Sequence, residues 1–347
     1  MSTQLNPTVN RNESLDWLRG LTALSIMIYH TYVFNFHALD SGSFVGRMGI
    51  YGVSIFFVLS GLSMALVYHS YFKTIKDVGY FYFRRIMRIF PLFWLAFFVV
   101  MLLNHRMESM SVWFDNLFFL FGFDENKTTI IPGGWSVGVE MYFYVFTPFI
   151  IIAYSYNKWL GRLIMAYLLF FGLRYAFLVL RDVTVLGANW YNYVAPFNNF
   201  FLFGFGIFLY YEFRNVKLSN VWCFSAIILA ALIFMLYPVE GNQVYIVKGL
   251  NRFVFSFASI LLVLGFFLLS YQPPKWIVYP LQQFGIATYG VYLLHQLLMQ
   301  FLHDYCHLTN PYGLMISTIL GSVLVALFIY RFFEMPFIRL GKRKIFG

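Results

Sequence analysis

Ten apolar stretches, each close to the length that crosses a bilayer, dominate this chain. About 20 mostly apolar residues span the hydrocarbon core as a helix, and helices satisfy all of their backbone hydrogen bonds internally. The stretches lie near 15–36, 49–72, 86–103, 136–156, 163–181, 194–212, 219–238, 251–271, 283–302 and 312–333. The sequence therefore predicts an all-α, polytopic membrane protein with about ten transmembrane helices.

The charges predict how this bundle is oriented. Only 11% of the 347 residues are charged, and the net charge is +10. One set of alternate loops, which includes both termini, holds more than twice as many Lys and Arg residues as the other set. Cytoplasmic loops carry this excess, so both termini are predicted to be cytoplasmic. The basic balance thus indicates membrane lipid as a partner, and not nucleic acid.

No linker divides the chain. We predict a cytoplasmic tail at 1–14, one membrane domain at 15–340 and a basic cytoplasmic tail at 341–347. The longest connection, at about 104–134, is predicted on the outer side, where loops of this length often have a function. Cys223 and Cys306 are expected to be unpaired. No metal-binding or phosphate-loop motif is present in the sequence.

The first stretch carries two polar groups that are costly in lipid. Arg19 and His30 are eleven residues apart, which is about three helical turns and roughly 16 Å along the axis. Both therefore share one face, and that face should contact protein or water. His30 is suited to general-base chemistry. The alternative is an arginine that extends to the interface and a histidine that only packs in the core.

Three arginines mark the predicted inner end of the third stretch. Arg84, Arg85 and Arg88 precede Ile89-Phe90-Pro91, and Arg84 and Arg88 share a helical face. Arginine binds phosphate in a bidentate manner, so this cluster is a candidate site for a phosphorylated cytosolic ligand. The alternative is that it contacts lipid headgroups.

The fourth stretch begins with a polar stripe. Trp135 and Ser136 follow Pro132-Gly133-Gly134, and Ser136, Glu140 and Tyr144 are spaced by four residues. We expect Glu140 to lie about one turn below the outer face, at a depth similar to His30, where it would orient the imidazole as in a triad. The alternative is an acid stabilised by the helix N-terminus.

Two further groups lie late in the chain. Tyr289, Tyr292 and His295 are spaced by three residues, and His295 is expected near the middle of the membrane, where it either supports a site or packs as a satisfied histidine. Arg331 and Glu334 have the i,i+3 spacing of an ion pair, which we expect to be structural. The small residues from Gly49 to Ser63 indicate close helix packing.

These motifs, in this order, resemble those of the integral-membrane acyltransferase family 3, whose members often acylate bacterial surface and secreted polysaccharides. The resemblance runs from Leu15 to about Leu340 and rests on Arg19 with His30, Gly52 to Gly61, Arg84 to Pro91, Trp135-Ser136 with Glu140 and Tyr144, Tyr289 to His295, and Phe333 to Pro336. Two positions depart from the family pattern. Ser54 replaces an Asp, and Met141 replaces a second Glu, which argues against a mechanism with two carboxylates.

The resemblance implies an O-acyltransferase in the bacterial plasma (inner) membrane, most simply an O-acetyltransferase. It implies acetyl-CoA or another acyl-CoA as donor, with no metal, and a polysaccharide or lipid-linked glycan as acceptor. Arg84, Arg85 and Arg88 would hold the donor, and His30, with Arg19 and Glu140, would act as base or acyl relay. Ser136, Trp135, Tyr144, Tyr292 and His295 would bind substrate or support the site. Some members of the family carry an additional extracytoplasmic domain, and the resemblance does not extend to it. A separate extracytoplasmic partner is therefore expected if the chain does not complete the transfer itself.

A transporter of a small organic acid or acylated metabolite is the alternative, since intramembrane His and Arg residues also mark transport routes. It would predict internal repeats and interrupted helices, and the two halves of the sequence show no convincing repeat. The acceptor, the acyl chain length and the oligomeric state stay open at this point.

Overall fold

The computed structural model describes residues 13–105, 107–124, 127 and 129–343. Most of the predicted tail at 1–14, with Arg11, lies outside the described residues, as do Arg106 in the long loop and residues 344–347 of the basic tail. The division into one domain and two tails stays a prediction.

All of the regular secondary structure in the described ranges is helical, which confirms the predicted class. The α-helices in chain order are α1 Glu13–Asn35, α2 Phe44–Tyr68, α3 Ile75–Asn104, α4 Met110–Leu117, α5 Trp135–Tyr156, α6 Lys158–Arg174, α7 Trp190–Val194, α8 Pro196–Phe213, α9 Asn220–Leu236, α10 Gly249–Leu268, α11 Lys275–Ile286, α12 Thr288–Asp304, α13 Pro311–Ile329 and α14 Met335–Gly341. Two π-helical segments, Tyr175–Val179 and Tyr330–Glu334, follow α6 and join α13 to α14.

In the part of the chain that the structure describes, six helices are long and apolar enough to cross a membrane, so the protein is a multi-pass membrane protein. They are Phe44–Tyr68, Ile75–Asn104, Trp135–Tyr156, Lys158–Val179, Gly249–Leu268 and Pro311–Gly341. The pair Leu186–Val194 and Pro196–Phe213, bent by 54°, makes a seventh span if it crosses as one. The count of about ten spans and the cytoplasmic termini stay predictions.

The remaining predicted spans differ from these six in length, continuity or polar content. The stretch near 219–238 forms only the 17 residues of α9. The stretch near 283–302 is divided at Ala287, where α11 ends and α12 begins. The first stretch is a continuous 23-residue helix, α1, with Glu13, Asp16 and Arg19 in its first two turns.

Helix α2 is central to the bundle and packs against α8, α1 and α10. Its glycines allow this packing, because a Cβ at Gly61 would overlap the carbonyl of Phe203 in α8, and one at Gly52 would overlap Ile26 in α1. The close helix packing predicted from the small residues is therefore confirmed. Helix α1 in turn contacts α11, α12 and α13, which surrounds its polar face with protein.

The segment between α4 and α5 folds into the protein. Phe119 is 1% exposed and Ile131 is 1% exposed, and the backbone of Gly122 lies against Gly138 of α5 with no room for a Cβ. Gly133 has a φ of +75°, a backbone conformation that glycine adopts without strain. The described part of this segment therefore packs closely against α5, although Pro132 just before the helix is exposed.

Candidate active site

A cavity of about 580 Å³ lies between α1, α2, α3, α5 and α12. Its wall on α2 extends from Val67 to Val53, fourteen residues or about 21 Å along the helix. Arginines lie at the Val67 end, which we call the arginine end, and Ser136 and Tyr292 lie at the other, which we call the tyrosine end. The cavity therefore follows the long axis of the bundle.

Two of the three arginines on the cavity wall are neutralised by carboxylates. Arg19 is 2.6 Å from Asp16 and also donates to Ser63. Arg88 is 3.2 Å from Glu334, which is 3% exposed.

The predicted ion pair between Arg331 and Glu334 is not formed, so that prediction is wrong. These residues lie in the π-helical segment, whose wider turn leaves Arg331 exposed.

Arg85 is the third arginine of the wall, and its surroundings are aromatic. Its guanidinium lies 5.5 Å from the ring of Tyr68, 5.7 Å from Tyr144 and 5.9 Å from Phe81, and it donates to the Tyr68 hydroxyl at 3.1 Å. Among the described side chains, no carboxylate lies within ion-pair distance of it, and its buried Nε has no hydrogen-bond partner. Its charge is thus available to an anionic ligand.

Arg84 does not line the cavity. Its guanidinium lies 5.1 Å from the centroid of the Tyr71 ring, and it is absent from the cavity wall. Of the three arginines predicted to bind a donor, the structure therefore brings Arg85 and Arg88 to the cavity.

Glu140 lies inside the cavity, and the contact predicted between it and His30 is wrong. Its carboxylate accepts hydrogen bonds from Ser60 and Tyr144. Glu140 therefore lies level with Ser60 of α2, whereas Tyr29, next to His30, contacts Gly49. Eleven residues of α2, roughly 16 Å, separate these two levels.

Ser136 and Tyr292 close the tyrosine end of the cavity. The two hydroxyls are 2.7 Å apart, and the Tyr292 hydroxyl also donates to the Gly133 carbonyl at 3.0 Å. Trp135 is not on the cavity wall, and its ring packs against Trp190 and Tyr193 at 5.8 and 5.7 Å. It therefore supports the start of α5 from the side.

His30 and His295 form a pair beyond the tyrosine end. His30 Nδ1 lies 2.9 Å from His295 Nε2 and 3.1 Å from the Gln296 amide nitrogen. His295 is 2% exposed, whereas His30 is half-buried. Neither ring lines the cavity. The structure thus brings His30 together with His295, and Tyr292 lies between this pair and the cavity.

Three partners in this arrangement were not predicted from the sequence. Ser60 and Ser63 bind Glu140 and Arg19, but the sequence indicated them only as small packing residues. Gln296 beside His30 had no predicted role. All three are polar side chains within apolar helices, and such side chains usually pair with one another; this signal would have indicated that each of them has a polar partner.

Comparisons with known proteins agree on the kind of protein. A family model described as an acyltransferase domain matches residues 12–331. A protein of Acidianus two-tailed virus, provisionally named acetyltransferase ORF330, is 25% identical over 302 residues, which cover 84% of this chain and 85% of the viral protein. No solved structure matches the chain.

Two bacterial relatives carry more specific names. A provisionally named peptidoglycan O-acetyltransferase of Bacillus subtilis, YrhL, and the peptidoglycan O-acetyltransferase OatA of Listeria monocytogenes are each 23% identical to this chain. Each alignment covers 93% of the chain but only 54% and 55% of these relatives, respectively. The chain therefore spans about half the length of these two proteins.

Proposed function

This chain belongs to the acyltransferase family whose model it matches over residues 12–331, and from that membership we propose that it moves an acyl group from an acyl-CoA to a hydroxyl of a polysaccharide or lipid-linked glycan. We propose acetyl as the acyl group, because the relatives are named as acetyltransferases. We also propose the bacterial plasma membrane as its location.

The observation that carries the proposal is the cavity between the arginines and His30. Its arginine end offers Arg85, whose charge no described carboxylate neutralises, to the phosphates of the donor. Its tyrosine end stops at Tyr292, next to His295, the partner of His30. A long donor with a charged head and a reactive thioester tail fits such a cavity, head at the arginines and tail toward His30.

The transfer itself needs one base. In the direct route, His30 takes the proton from the acceptor hydroxyl as its oxygen attacks the thioester carbonyl. The tetrahedral intermediate then collapses, the carbon–sulfur bond breaks, and the thiolate takes that proton from the imidazolium. In the relay route, His30 attacks the thioester carbonyl first, the carbon–sulfur bond breaks and the coenzyme A thiolate leaves. The acceptor hydroxyl then attacks the acyl-imidazolium, the carbon–nitrogen bond breaks to return neutral His30, and the hydroxyl proton goes to the thiolate. Both routes require the contact between Ser136 and Tyr292 to open, since it separates the cavity from the ring.

A glycan acceptor is supported by the names of the two bacterial relatives. We also propose a separate extracytoplasmic partner for final delivery of the acyl group. The alternative function, a transporter, predicts interrupted helices, and the structure has such interruptions at Ala287 and at the 54° bend before α8. However, membership of an acyltransferase family favours the transferase.

The decisive experiment compares His30→Ala with His37→Ala in membrane vesicles given radiolabelled acetyl-CoA and a glycan acceptor. His37 is an exposed histidine near the end of α1, so it is a matched control. We expect His30→Ala to lose transfer by about 10²-fold or more and His37→Ala to retain it. Equal amounts of folded protein are established by thermal unfolding. Transfer by His30→Ala at the wild-type rate would refute the proposed mechanism.

A further inference from the structure

The hydrogen bonds of His295 determine which nitrogen of His30 carries the hydrogen. His295 Nδ1 lies 2.7 Å from the Tyr292 carbonyl oxygen and 3.1 Å from the Val291 carbonyl oxygen. A carbonyl oxygen only accepts hydrogen bonds, so His295 Nδ1 must carry a hydrogen. In a neutral imidazole the other nitrogen is then an acceptor, and His295 Nε2 is therefore a base that needs a donor.

The neutral form is the one that this environment supports. His295 is 2% exposed, and none of the carboxylates in the described ranges forms an ion pair with it. A buried and unpaired imidazolium would be strongly unfavourable. His295 therefore presents an acceptor at Nε2, toward His30.

The geometry of the two rings agrees with a hydrogen bond between them. The ring planes differ by 14° and the centroids are 5.2 Å apart, although the two nitrogens are only 2.9 Å apart. Rings stacked face to face would have closer centroids, so the two imidazoles meet edge to edge with the hydrogen bond in both planes.

We propose that His295 is a positioning residue that holds His30 in the tautomer with its hydrogen on Nδ1, which leaves His30 Nε2 as the free base or nucleophile. His30 Nδ1 donates to His295 Nε2. As placed, the Gln296 amide nitrogen lies 3.1 Å from the same His30 nitrogen. Amide oxygen and nitrogen exchange by a flip, and in the proposed arrangement the flipped amide presents its oxygen as a second acceptor. A histidine held by backbone carbonyls thus does what a carboxylate does in a triad.

Two substitutions separate positioning from packing. His295→Leu fills the volume but removes the acceptor, whereas His295→Gln offers an amide oxygen to His30 and an amide hydrogen to the carbonyls. We expect His295→Leu to lower kcat by about 10²-fold or more with an unchanged KM for acetyl-CoA, since His295 does not line the cavity. We expect His295→Gln to restore most of kcat. Equal losses in both variants would overturn the proposal.

The tautomer is also measurable without turnover. In the protein labelled with ¹⁵N-histidine, the signals of His30 are identified by their loss in His30→Ala, and their shifts distinguish a hydrogen on Nδ1 from one on Nε2. We expect the Nδ1–H form in the wild type and in His295→Gln. If His295→Leu does not fold, the wild-type spectrum alone decides, because an Nε2–H form there would refute the proposal.

This inference rests on the proposed role of His30, and its failure is distinguishable from the failure of that role. An Nε2–H tautomer in the wild type overturns the inference and leaves the proposed function standing. An active His30→Ala variant overturns the proposed mechanism whatever the tautomer.

Discussion

At the scale of single residues, the three arginines of the cavity differ in how their charge is neutralised. Arg19 is paired with Asp16, and Arg88 is paired with a buried Glu334. Arg85 lies among aromatic rings, which attract a cation more weakly than a carboxylate does. An incoming phosphate would therefore displace no existing ion pair at Arg85, whereas it would compete with a carboxylate at the other two.

Arg85→Gln is expected to weaken donor binding. Loss of one charge-assisted hydrogen bond to phosphate costs about 1.5–3 kcal/mol, which is roughly a 10- to 100-fold rise in KM for acetyl-CoA with a smaller change in kcat. The matched control is Arg162→Gln, which removes an arginine paired with Glu212 away from the cavity. Equal KM changes in both variants would contradict the role given to Arg85. Stabilisation by coenzyme A, measured as a rise in Tm, should be lost in Arg85→Gln alone.

Helical spacing predicted which residues share a face, but it could not predict their partners. The spacing of four from Ser136 to Tyr144 correctly predicted a polar stripe, which lines the cavity. The depth of that stripe depends on where α5 begins, and contacts of the preceding segment with α5, such as that of Gly122 with Gly138, fix that point. The sequence of α5 contains no information about that segment, so Glu140 was assigned to the wrong partner.

At the scale of helices, the contact between α2 and α8 depends on two glycines. A Cβ at Gly61 would overlap the carbonyl of Phe203, and one at Gly206 would overlap the carbonyl of Val58. These atoms are backbone and cannot rotate away, so any side chain would push the two helices apart. Because α2 also forms the wall of the cavity, its position affects both stability and function.

Gly61→Ala is therefore expected to destabilise the protein, by about 1–3 kcal/mol as in other overpacked cores. The control is Gly79→Ala in α3, where a Cβ meets nothing within 4 Å; alanine is favoured over glycine there by up to about 1 kcal/mol. Thermal unfolding of the purified variants should give a lower Tm for the first and an equal or higher Tm for the second. Unchanged stability of Gly61→Ala would contradict the close approach of the helices.

The existence of the helices was predictable from apolar length, whereas their interruptions were not. The stretch near 283–302 is apolar enough to be taken as one span, yet the chain breaks at Ala287 between α11 and α12. Two residues before this break, Gly285 lies against the backbone of Asp16 with no room for a Cβ. Such a contact between distant parts of the chain cannot be deduced from local hydropathy.

At the scale of the whole molecule, transfer from a cytosolic acyl-CoA to an acceptor outside the cell would require the two ends of the site to lie on opposite sides of the membrane. The arginine end of the cavity holds Arg85, and the pair of His30 and His295 lies beyond the tyrosine end. The exposed Cys306 lies at the end of the site that holds His30, which we call the histidine end. Cys306 follows shortly after α12, and the ring of His303 in the last turn of α12 contacts the ring of Phe34, with 5.7 Å between the ring centroids. Phe34 lies one turn beyond His30 on α1. Cys223 is buried, so the chain has a natural reporter at this end and an internal control.

Labelling of the native cysteines in intact cells tests this orientation directly. If the histidine end faces outward, as the distribution of Lys and Arg predicts, a membrane-impermeant maleimide should modify Cys306 without permeabilisation. The label should be lost in Cys306→Ser and retained in Cys223→Ser. Labelling that appears only after permeabilisation would place His30 on the cytoplasmic side. The donor and the acceptor would then have to enter the site from the sides opposite to those expected, and outward transfer of the acyl group through this cavity would be refuted.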